Sequence, residues 1–257
     1  MSALIFSDLD GTLLDHNNYD TRPALATLEQ VQQAGHAVIL NTSKTARETA
    51  RWHRTLHLNS AYVVENGAAI HAPDGSLQAC QGVAREILLD TLQHIRQQTG
   101  LRFCGFSDAT TAQIVDWTGL SPDNAERARQ RRWSEPLKWL DDEAALQVFR
   151  QALGEHGLQL LRGGRFFHVQ GRHDKASALR QLMACEQAPV SVALGDGEND
   201  VAMIEAADIG VQVRSPAYDF PTLTTPPRRL LQTKNYGPAG WAEAMTIILQ
   251  QGWLRHE

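Results

Sequence analysis

The sequence predicts an α/β protein, a doubly wound parallel-sheet core interrupted by an inserted α+β domain. Three observations predict it. Short apolar runs alternate with helix-spaced segments up to residue 64, the same alternation resumes from residue 175, and the sequence between them changes character. Strand–helix alternation of this kind builds a sheet with helices on both faces.

Taken in order, Ala3 to Phe6 is a short apolar run that suits a buried parallel strand. Residues 22–34 carry apolar side chains at helical spacing and stop at Gly35. Ala37 to Leu40 is the second strand, Thr45 to His57 the second helix, and Ala61 to Val64 the third strand of the sheet. Late in the chain, Lys175 to Cys185 is a helix and Val190 to Leu194 a strand. Asp200 to Ala207 is a short helix, Ile209 to Val213 a strand, and Trp241 to Gln251 a closing helix. Residues 214–240 hold five prolines and no periodicity, and read as loop. The middle of the chain contains a long helix at Glu86–Gln98, a polar loop around Ser107–Thr111, and the basic-aromatic run ARQRRWSEPLKW. A helix at Asp142–His156 and the strand-like GRFFHVQ follow. The expected division is a core of residues 1–82 and 169–257 with an inserted domain at 83–168.

Bulk properties restrict function only loosely. With 257 residues, 42% of them hydrophobic and 21% charged, the chain is long enough to bury a sizeable core. A net charge of −5 gives no bias towards nucleic acid or anionic membrane. No apolar run reaches the ~18 residues that would span a bilayer. Asp8 and Asp10 interrupt the N-terminal apolar stretch where a signal peptide would need continuity. Cys80, Cys104 and Cys185 are widely spaced and odd in number, which fits reduced thiols in a cytoplasmic protein.

The chemistry sits at strand ends. Asp8-Leu9-Asp10-Gly11-Thr12 follows the first strand directly. Ligands bind outside the carboxyl ends of strands in such sheets. A spacing of two lets both carboxylates project to one side of an extended chain. Adjacent carboxylates need a shared proton or a cation, and oxygen ligands suit a hard ion such as Mg²⁺. A plain Asp-Gly turn with a capping aspartate explains that run equally well by itself. A second acidic cluster, Gly195-Asp196-Gly197-Glu198-Asn199-Asp200, also follows a buried strand. Helix capping by Asp200 accounts for part of it, but not for two acidic clusters at two strand ends. Asn41-Thr42-Ser43-Lys44 after the second strand offers hydroxyls and N–H groups to an anion, or else a helix cap. Lys175 opens a helix, where its charge opposes the macrodipole. An anionic partner or simple solvation would account for it.

Together these motifs resemble those of the haloacid dehalogenase superfamily of phosphatases: DxDGT, a hydroxyl after the second strand, a later lysine, then GDxxND. They cover residues 1 to about 80 and 170 to 257. The resemblance implies a Rossmann-like core, and the long insertion resembles the subgroup with a large α+β cap. SKT at 43–45, ENGA at 65–68, TGL at 118–120, SEPL at 134–137 and GRF at 164–166 further resemble mannosyl-3-phosphoglycerate phosphatases. The resemblance implies Asp8 as nucleophile and Asp10 as acid/base. It implies Asp8, Asp10, Asp196 and Asp200 at a Mg²⁺ site, and Thr42, Ser43, Lys175 and Asn199 around phosphate. It also makes Lys44, Glu65, Asn66, Arg131, Arg132, Ser134, Glu135, Arg165 and His168 candidates for contact with a small phosphorylated substrate, a glycosyl-phosphoglycerate or sugar phosphate.

Other readings are weaker. Arg127, Arg129, Arg131 and Arg132 also fit a solvated helix face, and a dedicated nucleic-acid binder would be basic. His53 and His57 lack the intervening Glu of a zinc-protease helix and read as surface or interface histidines. Trp52, Trp117 and Trp133 read as packing residues. A phosphomutase shares the expected core. A non-catalytic phosphoacceptor of the receiver type shares the acidic pocket, but needs neither Asp10 nor a large insertion.

Overall fold

A computed structural model of the chain describes residues 2–162 and 166–254. Its elements in order are β1 (Leu4–Ser7), α1 (Arg22–Gln33), β2 (Ala37–Leu40), α2 (Ala46–Thr55), β3 (Tyr62–Val64), β4 (Ala69–His71) and β5 (Leu77–Cys80). Next come α3 (Arg85–Thr99), β6 (Phe103–Gly105), α4 (Thr111–Thr118), α5 (Pro122–Arg129), β7 (Ser134–Trp139), α6 (Glu143–Glu155), β8 (Leu158–Arg162) and β9 (Phe167–Gly171). The chain closes with α7 (Lys175–Glu186), β10 (Ser191–Gly195), α8 (Val201–Ala206), β11 (Ile209–Arg214), β12 (Arg229–Tyr236) and α9 (Gly237–Gln250).

The central sheet has the order β12-β11-β10-β1-β2, every pair parallel. Side chains of β1 alternate between its faces, as a strand period of two requires. Ile5 packs with Leu28 of α1 and Trp241 of α9 in one apolar cluster, while Leu4 and Phe6 pack with Leu179 of α7 and Met203 of α8 in another. The sheet is thus doubly wound, as the sequence predicts. The chain leaves β1 in one direction towards β2 and returns at β10 on its other side. The carboxyl ends of β1 and β10 therefore flank the switch point, where such sheets bind ligands.

A separate four-stranded antiparallel sheet, β6-β7-β9-β8, carries its own core of Leu88, Phe103, Leu137, Phe149 and Val169, backed by α3 and α6. A smaller apolar cluster of Phe106, Ile114, Ala125 and Ala128 holds α4 and α5 together.

Three expectations need correction. The third strand does not continue the main sheet: β3 touches it through one parallel bridge, Asn41–Val63, and then pairs antiparallel with β4 and β5. The cause is local. Glu65, Asn66 and Gly67 all have positive φ, a left-handed turn that folds the chain back. Residues 214–240 are not all loop, because β12 is a polar edge strand paired with β11. His53 is buried rather than on the surface, with Nε2 2.7 Å from the Ser60 carbonyl and its ring against Tyr62. Among the described residues no helix is long and apolar enough to cross a membrane.

Candidate active site

Asp8 follows β1, and its N–H donates to the Leu194 carbonyl of β10, so the two strand ends are tied together. Asp196 follows β10. Between them the chain turns at Gly11, whose φ is +79°, and a Cβ there would collide with the Asp196 carboxylate. Only glycine satisfies both demands. Asp8, Asp196 and Asp200 each present a carboxylate oxygen within 4.8 Å of the others, and all three are buried.

Lys175 closes this cluster. It is fully buried at the first turn of α7, and its Nζ lies 2.6 Å from Asp8 Oδ1 and 2.6 Å from Asp200 Oδ1. Burial opposes the ammonium charge, but Asp200 and Asp8 outweigh it and raise its pKa. The solvated-lysine alternative is therefore excluded. Asp200 accepts N–H bonds from Asp196 and Gly197 as well, so its carboxylate braces the turn rather than capping α8. Asp196 receives the Thr12 hydroxyl at 3.2 Å and the Tyr218 hydroxyl at 2.9 Å.

One ammonium does not balance three buried carboxylates. Burial, opposed by Lys175 and reinforced by Asp200, pushes Asp8 up to about 7. Burial, then Asp200 and Asp8, pushes Asp196 up to about 8. An all-oxygen, over-anionic cluster of this kind fits a hard divalent cation, which relieves the repulsion that burial intensifies. Burial and the adjacent Asp196 likewise raise the Tyr218 phenol, which stays a donor.

Asp10 stands apart from the cluster. Its Oδ2 pairs with Lys44 Nζ at 2.7 Å, and its Oδ1 is buried without a partner. Lys44 is itself buried, 5.2 Å from the Tyr19 ring centroid. Thr45 and Glu48 form a reciprocal capping box on α2, so the helix cap is Thr45 and not Thr42 or Ser43. Thr42 is buried and its hydroxyl accepts the Lys44 N–H. Ser43 lines the cleft.

That cleft, of about 160 Å³, lies between the two sheets. The core contributes Asp8, Asp10, Ser43, Lys44, Asp196, Asn199 and Tyr218, and the inserted segment contributes Phe106, Leu120, Arg131, Phe166 and His168. Arg131 is fixed by bonds from Nη1 to the Ser43 carbonyl at 3.0 Å and to the Ser134 hydroxyl at 3.0 Å, and from Nε to the Ala128 carbonyl. It forms no ion pair among the described residues. His168 Nδ1 is buried without a partner, and burial, followed by Arg131 and Lys175, pushes its pKa down to about 3.

The remaining sequence candidates are placed elsewhere. Both Glu65 oxygens are taken by the N–H groups of Arg132 and Trp133 and the Ser134 hydroxyl. Glu135 is fully buried and held by Arg85 at 2.6 Å and by Ser107. The Arg132 side chain is exposed and away from the cleft. Asn66 bonds Gln170 and, at 3.3 Å, Asn199. Arg165 lies outside the described residues. Sequence reasoning missed Tyr218, which no spacing marks. It also missed Asn41, whose Nδ2 donates to the Lys175 carbonyl, and Thr12, which the DGT run did signal.

A family profile described as haloacid dehalogenase-like hydrolase matches residues 5–160 and 162–217. Among solved structures, the fold resembles Thermoplasma acidophilum 0175 at TM-score 0.72 and 18% identity, covering 99% of this chain and 100% of that one. It resembles the phosphatase-superfamily protein BT1666 of Bacteroides thetaiotaomicron at TM-score 0.70 and 19% identity, covering 98% and 96%. It also resembles BT4131, described as a HAD subclass IIB sugar phosphatase, at TM-score 0.67 and 15% identity, covering 98% and 99%. At these identities the structural likeness establishes the fold.

Proposed function

The chain belongs to the haloacid dehalogenase-like hydrolases, and from that premise we propose that it is a phosphatase working through an aspartyl-phosphate on Asp8. The observation that carries the reading is the buried meeting of Asp8, Asp196 and Asp200 around Lys175, at one wall of a cleft that also holds Asp10.

Asp8 Oδ1 is held by Lys175, and its second oxygen accepts no hydrogen bond among the described residues. That oxygen attacks phosphorus and forms the Asp8–phosphate bond as the ester oxygen leaves. Asp10 gives the leaving oxygen its proton. Asp10 then removes a proton from water, which attacks phosphorus, releasing inorganic phosphate and the Asp8 carboxylate. Splitting the hydrolysis into two displacements lowers each barrier. Mg²⁺ held by Asp8, Asp196 and Asp200 would supply charge neutralisation on the phosphoryl oxygens. Lys175, Thr42, Ser43 and Asn199 steady those oxygens. Residues 83–168 act as the cap that sets specificity.

The substrate reading is mannosyl-3-phosphoglycerate or a related glycosyl-phosphoglycerate. The SKT, ENGA, TGL and SEPL segments support it, and so does Arg131, a guanidinium in the cleft without a carboxylate partner among the described residues. Arginine suits a substrate carboxylate by its paired N–H geometry. Hydrolysis of simple sugar phosphates is the second reading, favoured by the likeness to the sugar phosphatase BT4131. Free-phosphate release across glycosyl-phosphoglycerates and hexose phosphates, with and without Mg²⁺, separates the two. No release from any ester in Mg²⁺ removes both.

A further inference from the structure

We propose that Tyr218 is a positioning residue that fixes the Asp196 carboxylate for the divalent cation, so that its hydroxyl sets cation affinity. The inference rests on the metal-dependent reading of the site and adds a residue that none of the acidic motifs contains.

Asp196 differs from its two neighbours. Asp8 and Asp200 share the Lys175 ammonium, whereas Asp196 makes no ion pair among the described residues. Its two oxygens instead receive one neutral donor each, Thr12 on Oδ1 and Tyr218 on Oδ2. Neutral donors orient a carboxylate without cancelling its charge. Thr12 restrains Oδ1 only, while Oδ2 occupies the space where a Gly11 side chain would stand. The second donor, on the other oxygen, fixes the plane.

Tyr218 reaches the site from the segment after β11, independently of β1 and β10. Ser215, in the same segment, is itself buried and accepts the Ala217 N–H. The Tyr218 ring is 39% exposed and lines the cleft. Phenylalanine keeps the ring and removes only the hydroxyl, so the substitution isolates the bond to Asp196. Partners of metal ligands commonly govern about 10–100-fold in metal affinity.

The experiment compares wild type with Tyr218→Phe, titrating Mg²⁺ into metal-free protein by calorimetry and following the thermal midpoint. The expected result is a Kd for Mg²⁺ weakened by about 10-fold or more with the metal-free midpoint unchanged. A Kd equal to wild type in Tyr218→Phe overturns the assignment while leaving the metal reading intact. Failure of the wild-type protein to bind Mg²⁺ or any other divalent cation overturns both.

Discussion

Lys175 Nζ sits 2.6 Å from Asp8 and 2.6 Å from Asp200, carboxylates that lie far apart in sequence, and it is fully shielded from solvent. A charge buried this deeply is tolerable only because it is paired, and removing one partner strands the others. Lys175→Met should therefore abolish turnover and destabilise the fold by about 3–5 kcal/mol. Adding Asp200→Asn to Lys175→Met should recover part of that loss. Urea unfolding of the four proteins of the cycle tests the coupling, and strictly additive losses would contradict it.

Asp10 should behave differently from Asp8. Its pairing with Lys44 at the cleft leaves it placed for proton transfer but outside the oxygen cluster. Asp10→Asn is expected to lower kcat by about 10²–10⁴-fold while Mg²⁺ still raises the thermal midpoint. An unchanged kcat would remove Asp10 from the chemistry.

Glu65 separates anchoring from substrate contact. Its carboxylate binds residues 132–134, next to Arg131, from a left-handed turn at φ +48°. Glu65→Gln should cost about 1–3 kcal/mol and raise KM through a displaced Arg131. A raised KM at wild-type stability would instead mean that Glu65 touches substrate.

His168 gives the pH dependence its sign. Its folded pKa near 3 lies below the ordinary 6.5, so the unfolded chain takes up the proton first. Its contribution to stability is whole above 6.5 and is lost as pH falls from there towards 3. The slope is at most about 1.4 kcal/mol per pH unit. His168→Asn should flatten that acid-side loss in urea titrations, and the His168 ring signals should not titrate near neutral pH. A ring that titrates near 6.5 would contradict the burial argument.

Much of the core was legible because its determinants are local in sequence. β1, β2, β10 and β11 are short, mostly apolar and followed by turn residues, so their pattern announces buried parallel strands. The acidic runs at 8–12 and 195–200 mark strand ends for the same reason. The elements that escaped have mixed patterns. β7 carries Glu135, Pro136 and Lys138 within six residues, and its buried glutamate is held by Arg85, fifty positions away, and by Ser107. β12 alternates exposed and half-buried side chains at the sheet edge, so its sequence resembles loop. The β4–β5 hairpin did leave a signal, the Pro73-Asp74-Gly75 turn. Within the site, contacts made by one residue from a distant segment, such as Tyr218 on Asp196 or Arg131 on Ser43, have no periodicity to reveal them.

The most direct test is chemical capture of Asp8. Protein turning over a phosphate ester in Mg²⁺ is quenched with borohydride, which reduces an acyl phosphate to an alcohol, and the tryptic peptide containing residue 8 is sequenced by mass spectrometry. Conversion of Asp8 to homoserine, only when substrate is present and absent from Asp8→Asn, is the expected result. Sustained phosphate release with Asp8 unmodified, or with the modification on another carboxylate, would contradict it.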